Sequence, residues 1–397
     1  MQKGKNGTGM KKSSKKKTKQ AERKAKATRR EELVQLSALV ERQPNTLVIG
    51  IDLGDKTSSY CVRTRDRQVV TEGVVATKAE AILESFREIP RQLMVMETGT
   101  HSRWVAQLLH LMGHEVVVAN ARKLKLISEN NQKSDRVDPR LLSELGCTNV
   151  DWLHPVYQRS EGKHCDLLVV RAREALVEER TGLINHVRGT VKSYGCRIRK
   201  CSAESFVGVA GLAIPEALQP ASSGVLETLE EIGEQIYRYD AQIEHLCQTK
   251  YPETQWLRQV KGVGPVTALT YVLTIDDPHR FESSRDVGAY LGLVPKRRQS
   301  GQRDPQLGIS KTGDELLRKL LVNCAHHMMG PMGAESDLRR WGLELVAASL
   351  RAGKAKGARK RAAAAVARKL AVLLHRLWVE EEEYEPLHKG KSDEAAA

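Results

Sequence analysis

Aromatic residues are scarce: three Phe, five Trp and nine Tyr make up 4% of the 397-residue chain. That is too few for a series of base-stacking platforms along a single strand. No apolar run approaches the ~20 residues of a membrane helix. The basic start lacks the apolar core of a secretion signal. Cysteine is sparse and unpatterned, at positions 61, 147, 165, 196, 201, 247 and 324, with no C-x-x-C pair. Such a set reads as reduced thiols in a cytoplasmic protein. No G-x-x-x-x-G-K-[ST] is present, which argues against a P-loop motor.

What is abundant is positive charge. The net charge is +15, and the first 30 residues hold 13 Lys or Arg against one acid, Glu22. The tail therefore carries +12 and the other 367 residues only +3. A low-complexity basic segment cannot bury enough apolar surface to fold alone. It reads as a solubility tag, a phosphate-binding arm or a nuclear signal. With roughly 100–200 residues per domain, the length allows two to four domains.

From residue 46 the pattern turns globular. TLVIGIDLG is a buried strand by its apolar run, and SSYCVRT and QVVTEGVVAT alternate as two more. AEAILESFREI reads as a helix, QLMVMETGT as a strand, HSRWVAQLLHLMG as a helix and HEVVVAN as a strand. The order β-β-β-α-β-α-β predicts a mixed sheet with helices on its faces. DPRLLSELG is helical, with Pro139 in its first turn. Long helical patterns follow over 160–192 and 222–248, separated by AIPEALQPASSG, which reads as a linker. In the second, Val225, Leu229, Ile232, Ile236, Tyr239, Ile243 and Leu246 repeat every four and three residues. This seam suits a plain amphipathic helix, a helical pair or an intersubunit coiled coil. The organisation expected is a basic tail and short helix over 1–44, an α/β domain over 45–150 and a helical coiled-coil region over 151–250. A mainly helical domain over 251–345 and a basic helix with an acidic end over 346–397 complete it.

Four acids stand out. Asp52 sits in the apolar run IGIDLG, and Glu97 ends another, VMETGT. A carboxylate in such a run is costly unless paired or bound to a cation. Asp135 and Asp138 are three apart at a helix start, which puts them on one face. Clustered carboxylates suit Mg²⁺ or Mn²⁺, and two such ions can clamp the attacking and leaving oxygens of a phosphodiester. Asp55 and Glu144 are spare acids for the same scheme. IGIDLGDKTSS also resembles the first phosphate hairpin of actin-like ATPases, but no later D-x-G-G-[ST] accompanies it.

Two further features suggest nucleic-acid contact. Lys261-Gly262-Val263-Gly264-Pro265, between helical patterns, has the helix-hairpin-helix form, whose exposed N–H groups hold a phosphate. The loop Pro295-Lys296-Arg297-Arg298-Gln299-Ser300-Gly301, with Arg303, sets cations around a serine. Guanidinium groups clamp phosphate, and a serine there has the chemistry to attack phosphorus. Ser310 and Lys311 follow, Ser310 as a helix cap or a phosphate contact. His326 and His327 read as structural.

Taken together, these pieces resemble the DEDD-type transposases of bacterial insertion sequences, the bridge-RNA-guided recombinases that include the pilin-gene invertase. The pieces are IGIDLGDKTSSYCV, METGTHSRWVAQLL, SDRVDPRLLSEL, VKGVGPVTALTYVLTI, LGLVPKRRQSG and ISKTGDELLRKLLVNCA. The resemblance implies a RuvC-like ribonuclease-H fold, a coiled-coil spacer and a transposase domain. It implies that Asp52, Glu97, Asp135 and Asp138 bind Mg²⁺ and that Ser300 is the nucleophile joined covalently to DNA. Lys261, Gly262, Gly264, Lys296, Arg297, Arg298, Arg303 and Lys311 would contact nucleic acid. The partners expected are donor and target DNA, a non-coding bridge RNA, and further copies of the chain in a dimer or tetramer, near the nucleoid and away from membranes. A metal-dependent junction nuclease without a covalent step, or a non-catalytic nucleic-acid-binding protein, is the alternative reading.

Overall fold

The computed structural model describes residues 46–121, 137–296 and 307–387. The chain divides into two compact units, with the boundary between Gln158 and Arg159. The basic tail over 1–44 lies outside the described residues.

The first unit is built on five strands: β1 (Leu47–Leu53), β2 (Thr57–Thr64), β3 (Val69–Ala76), β4 (Leu93–Glu97) and β5 (Glu115–Ala119). Their order in the sheet is β3-β2-β1-β4-β5. The β1–β2 and β2–β3 pairs are antiparallel, and the β1–β4 and β4–β5 pairs are parallel. Helices α1 (Ala79–Phe86), α2 (Ser102–Leu111) and α3 (Val137–Thr148) complete the unit. The element order matches the one read from the sequence, because each strand carries its own apolar run.

Strand alternation explains the two faces. Ile49, Ile51, Met94, Met96 and Val118 pack with Ile82 and Phe86 of α1 and with Val105 and Leu109 of α2. Val48, Leu93, Val95 and Val117 pack with Leu142 and Leu145 of α3. On the α3 side the helix comes very close to the sheet. A Cβ at Gly50 would lie 2.1 Å from the Pro139 carbonyl oxygen and 2.6 Å from the Ser143 nitrogen. At Gly146 it would lie 2.8 Å from Val48 Cγ1 and 2.9 Å from Val95 Cγ2. Two glycines, one on each partner, set this approach.

The second unit is helical: α4 (Glu161–Ser193), α5 (Phe206–Ala213), α6 (Gln219–Thr249), α7 (Thr254–Arg258), α8 (Pro265–Ile275), α9 (Asp286–Tyr290), α10 (Glu315–Met328), α11 (Asp337–Arg351) and α12 (Ala358–Glu380). Here the structure differs from the sequence reading in two ways, and it selects the helical pair among the alternatives for the α6 seam. The AIPEALQPASSG segment is no linker, since α6 already begins at Gln219. Pro220 is tolerated because it occupies the first turn, where its missing N–H is not needed. The seam on α6 packs against α4 of the same chain, running antiparallel. Val187 and Val191 meet Leu226 and Leu229 at one end. Leu167 and Val170 lie with Ile243 and Cys247 in the main core at the other. Finally, 151–158 belong to the first unit, and the described residues of 159–250, 251–345 and 346–387 share one compact unit. The α4–α6 pair ends in the same core as α8 and α10, and α12 runs through that core on Ala363, Val366, Ala367, Leu370 and Leu374. Among the described residues, no helix is long and apolar enough to cross a membrane.

Two expectations follow. Gly50→Ala puts a methyl group where the Pro139 carbonyl stands, and α3 must shift. Overpacking of this kind costs about 1–3 kcal/mol. Chemical denaturation should show that loss in the first unit, and an unchanged midpoint would contradict the packing. The second concerns His114, which is 2% exposed and whose pKa burial pushes below its ordinary 6.5. The folded state therefore takes up a proton less readily than the unfolded chain. Stability is full above the unfolded value and falls as pH drops through it. The midpoint should decline between about pH 7.5 and about pH 5.5, and less steeply in His114→Asn. An identical decline in both would remove His114 as its source.

Candidate functional site

The register places the acids. The parallel pairing of β1 and β4 runs through Ile51 opposite Met96, and Asp52 and Glu97 are the next residues on each strand. Alternation puts them on the side of Val48, Gly50, Leu93 and Val95, which is the α3 side. They sit at the carboxyl ends of the parallel strands. Asp138 precedes Pro139 in the turn of α3 seated over Gly50. The fold thus brings Asp52, Glu97 and Asp138 to one edge of one sheet face. Asp135 lies outside the described residues.

Hard carboxylate oxygens at a strand edge are the donor type that Mg²⁺ or Mn²⁺ takes. Among the described residues, no three His, Cys, Asp or Glu side chains stand close enough together to hold a metal ion. The chemistry of the donor set fits a hard cation. The spare acids are otherwise occupied. Glu144 pairs with Arg63 at 3.5 Å. Asp55 faces His101, with Oδ1 3.7 Å from Nε2.

That last contact belongs to a small chain that sequence reasoning missed. Trp104 Nε1 donates to His101 Nδ1 at 3.0 Å. In the neutral ring the proton must then sit on Nε2, which points at Asp55. Asp55 follows β1 and His101 follows β4, so the chain lies at the same carboxyl ends as Asp52 and Glu97. The available signal was His101 and Trp104 three apart at a helix start.

In the second unit, the Lys261–Gly264 turn joins α7 to α8. Gly262 adopts φ 100°, and Gly264 caps α8 with Pro265 in the first turn. Lys261 is exposed, while Val260 and Val263 are buried beneath it. The serine loop has a defined stem. Pro295 and Ile309 form an antiparallel bridge, and the Lys296 N–H donates to the Gly308 carbonyl at 2.9 Å. Arg297, Arg298, Ser300 and Arg303 lie outside the described residues.

The stem is clasped by Arg318, a mostly buried side chain of α10. Its Nη1 donates to the carbonyls of Leu291 at 3.1 Å and Thr312 at 2.7 Å, one on each side of the loop. Lys311 is exposed at φ 57°. Ser310 does not cap α10. Asp314 does, accepting from the Leu317 N–H at 2.9 Å, while Ser310 Oγ lies 3.1 Å from Thr312 Oγ1. Asp314 is the better cap because its shorter reach to the N3 position is direct and its charge suits the helix start.

Comparison with known proteins gives two matches, the first of which runs past the unit boundary through α4. Residues 49–196 match a family model for DEDD transposases of the IS110 type. Residues 254–337 match the model of the transposase IS116/IS110/IS902 family. The chain is 27% identical over 307 residues to the transposase for insertion sequence element IS1328 of Yersinia enterocolitica, covering 75% of this chain and 89% of that one. It is 26% identical over 302 residues to the transposase for insertion sequence element IS1111A of Coxiella burnetii, covering 73% and 80%. A probable family 20 transposase of Pseudomonas aeruginosa is 26% identical over 300 residues, covering 74% and 87%. The first match begins within β1 and takes in Asp52, Glu97, Asp135 and Asp138, and the second takes in the Lys261 turn and the serine loop, so the chain belongs to the DEDD-type insertion-sequence transposases.

Proposed function

We propose that the protein is the recombining enzyme of a mobile insertion sequence, cutting and rejoining DNA with an acidic tetrad and a serine nucleophile. The observation that carries this reading is the convergence of Asp52, Glu97 and Asp138 on one sheet edge. The strand order β3-β2-β1-β4-β5, with an acid at the end of the central strand, supports a RuvC-like ribonuclease-H fold for the first unit.

Asp52, Glu97, Asp135 and Asp138 would supply oxygen donors to Mg²⁺ or Mn²⁺. When bound, such a cation stabilises the charge that builds on a phosphodiester under attack. Ser300 Oγ forms a bond to phosphorus while the bond from phosphorus to one sugar oxygen breaks. The serine proton is given up and the leaving sugar oxygen takes one, so one phosphate ester replaces another. Attack by the hydroxyl of a new strand reverses the exchange and frees the serine. Lys296, Arg297, Arg298 and Arg303 neutralise the phosphate oxygens during both steps. The Lys261–Gly264 turn and Lys311 hold backbone phosphates elsewhere on the substrate. A bridge RNA that pairs with donor and target DNA reads the sequence, and the +12 tail adds salt-sensitive affinity for either nucleic acid. The chain works as a multimer in which the tetrad of one copy serves the serine of another.

Ser300→Ala should abolish the covalent protein–DNA adduct on a denaturing gel while DNA and RNA binding persist. An adduct formed by the alanine variant would sink the serine role. Asp52→Asn should slow strand cleavage by roughly 10²–10³-fold or more, at unchanged DNA affinity. Cleavage that survives Ser300→Ala but not Asp52→Asn would identify a junction nuclease instead. Chelation should stop cleavage and added Mg²⁺ or Mn²⁺ should restore it, and undiminished cleavage in chelator would exclude the metal.

A further inference from the structure

A long groove runs between α11 and α12 and ends at the serine-loop stem, where Pro295, Gly308 and Ile309 line it. Its volume, about 1680 Å³, exceeds the ~300–1000 Å³ of ordinary small-molecule pockets. A polymer is the natural occupant of such a space.

The lining has two chemistries. The floor is apolar, made by Leu293, Leu338, Trp341, Leu345, Val372 and Leu373. The walls are cationic. Arg285, Lys360, Arg361, Arg368 and Lys369 all line the groove, all are exposed, and none makes an ion pair with a described carboxylate. Lys369 Nζ lies 3.8 Å from the centre of the Trp341 ring, and Arg361 is braced on the carbonyls of Lys354 and Lys356 at 2.7 Å. The acids of the lining are fewer, and one of them, Glu344, is paired with Arg351.

The spacing on α12 fits a strand laid along it. Arg361 and Arg368 stand seven residues apart on the groove side, with Ala364 and Ala365 between them, and Arg376, eight residues further on, is paired with Glu380. At ~1.5 Å per residue, successive guanidinium groups stand roughly 10–12 Å apart along the helix. The alanines leave room between them. A row of cations over an apolar floor with an aromatic ring suits an unpaired strand, whose phosphates and base faces are both exposed. A duplex would offer the walls its phosphates and leave the floor bare.

We propose that the α11–α12 groove seats an unpaired stretch of DNA that passes the stem of the serine loop. Its phosphates lie on Arg361, Arg368 and Lys369, and a base lies on the Leu345–Trp341 floor. The choice of DNA rests on the serine reading above, because the groove ends at the stem of that loop.

The test uses the full chain and a labelled single-stranded DNA of about a dozen nucleotides, followed by fluorescence anisotropy across a salt series. Removing two phosphate contacts in Arg368→Gln/Lys369→Gln should weaken binding about tenfold and flatten the salt slope by about 1.4. Trp341→Leu should weaken single-strand binding and leave duplex binding as it was. If the first pair fails to fold, Lys360→Gln/Arg361→Gln, on exposed wall positions, takes its place. Unchanged affinity and slope in these variants would overturn the proposal, and so would a loss confined to single-stranded RNA of the same sequence. Adducts that persist in Ser300→Ala would refute the serine reading alone, since strand binding in the groove variants is read without any cleavage step.

Discussion

The first unit depends on how closely α3 approaches β1. Helices normally pack on a sheet through intervening side chains, and here the Pro139 carbonyl stands 2.1 Å from where a Gly50 Cβ would be. Backbone meets backbone, so the first turn of α3 has little freedom to slide. Asp138 is carried by that turn, and Asp52 lies two residues beyond Gly50 on the same face of the sheet. Carboxylates repel at short range, and nothing in their own chemistry would gather them. The glycines supply the constraint, and hydrophobic burial of Leu142 and Leu145 beneath the sheet supplies the driving force.

Much of this unit was legible in the sequence because local and global preferences agree. Each strand is a separate apolar run, and Asp52 and Glu97 are visible as charges interrupting or ending such runs. What could not be read was tertiary. The Trp104–His101–Asp55 chain joins Asp55, which follows β1, to His101 and Trp104 at the start of α2, which follows β4, and only the register brings them together. Arg318 lies in an ordinary helical pattern, and its role appears only when Leu291 and Thr312 converge on it.

The second unit shows the opposite relation. Its long helices were easy to find, but α11 was not read as a helix, and the divisions were misplaced, because composition reports on a segment and not on its neighbours. The basic residues of α12 suggested a separate division over 346–397. Its other face carries Ala, Val and Leu at helical spacing and lies at the centre of the core. The same holds for α4 and α6. Their distant ends share one small cluster around Phe206, and their near ends are part of the main core. A 33-residue and a 31-residue helix packed side by side thus form a stiff projection rooted in the unit that bears the serine loop.

The Arg318 clasp separates two sensitivities. Buried His114 and His375, whose pKa values burial lowers, make each unit's core responsive to mild acid. The clasp is made of other groups: a guanidinium that donates to the amide carbonyls of Leu291 and Thr312. The hold on the serine-loop stem and the packing of the two cores therefore rest on different groups.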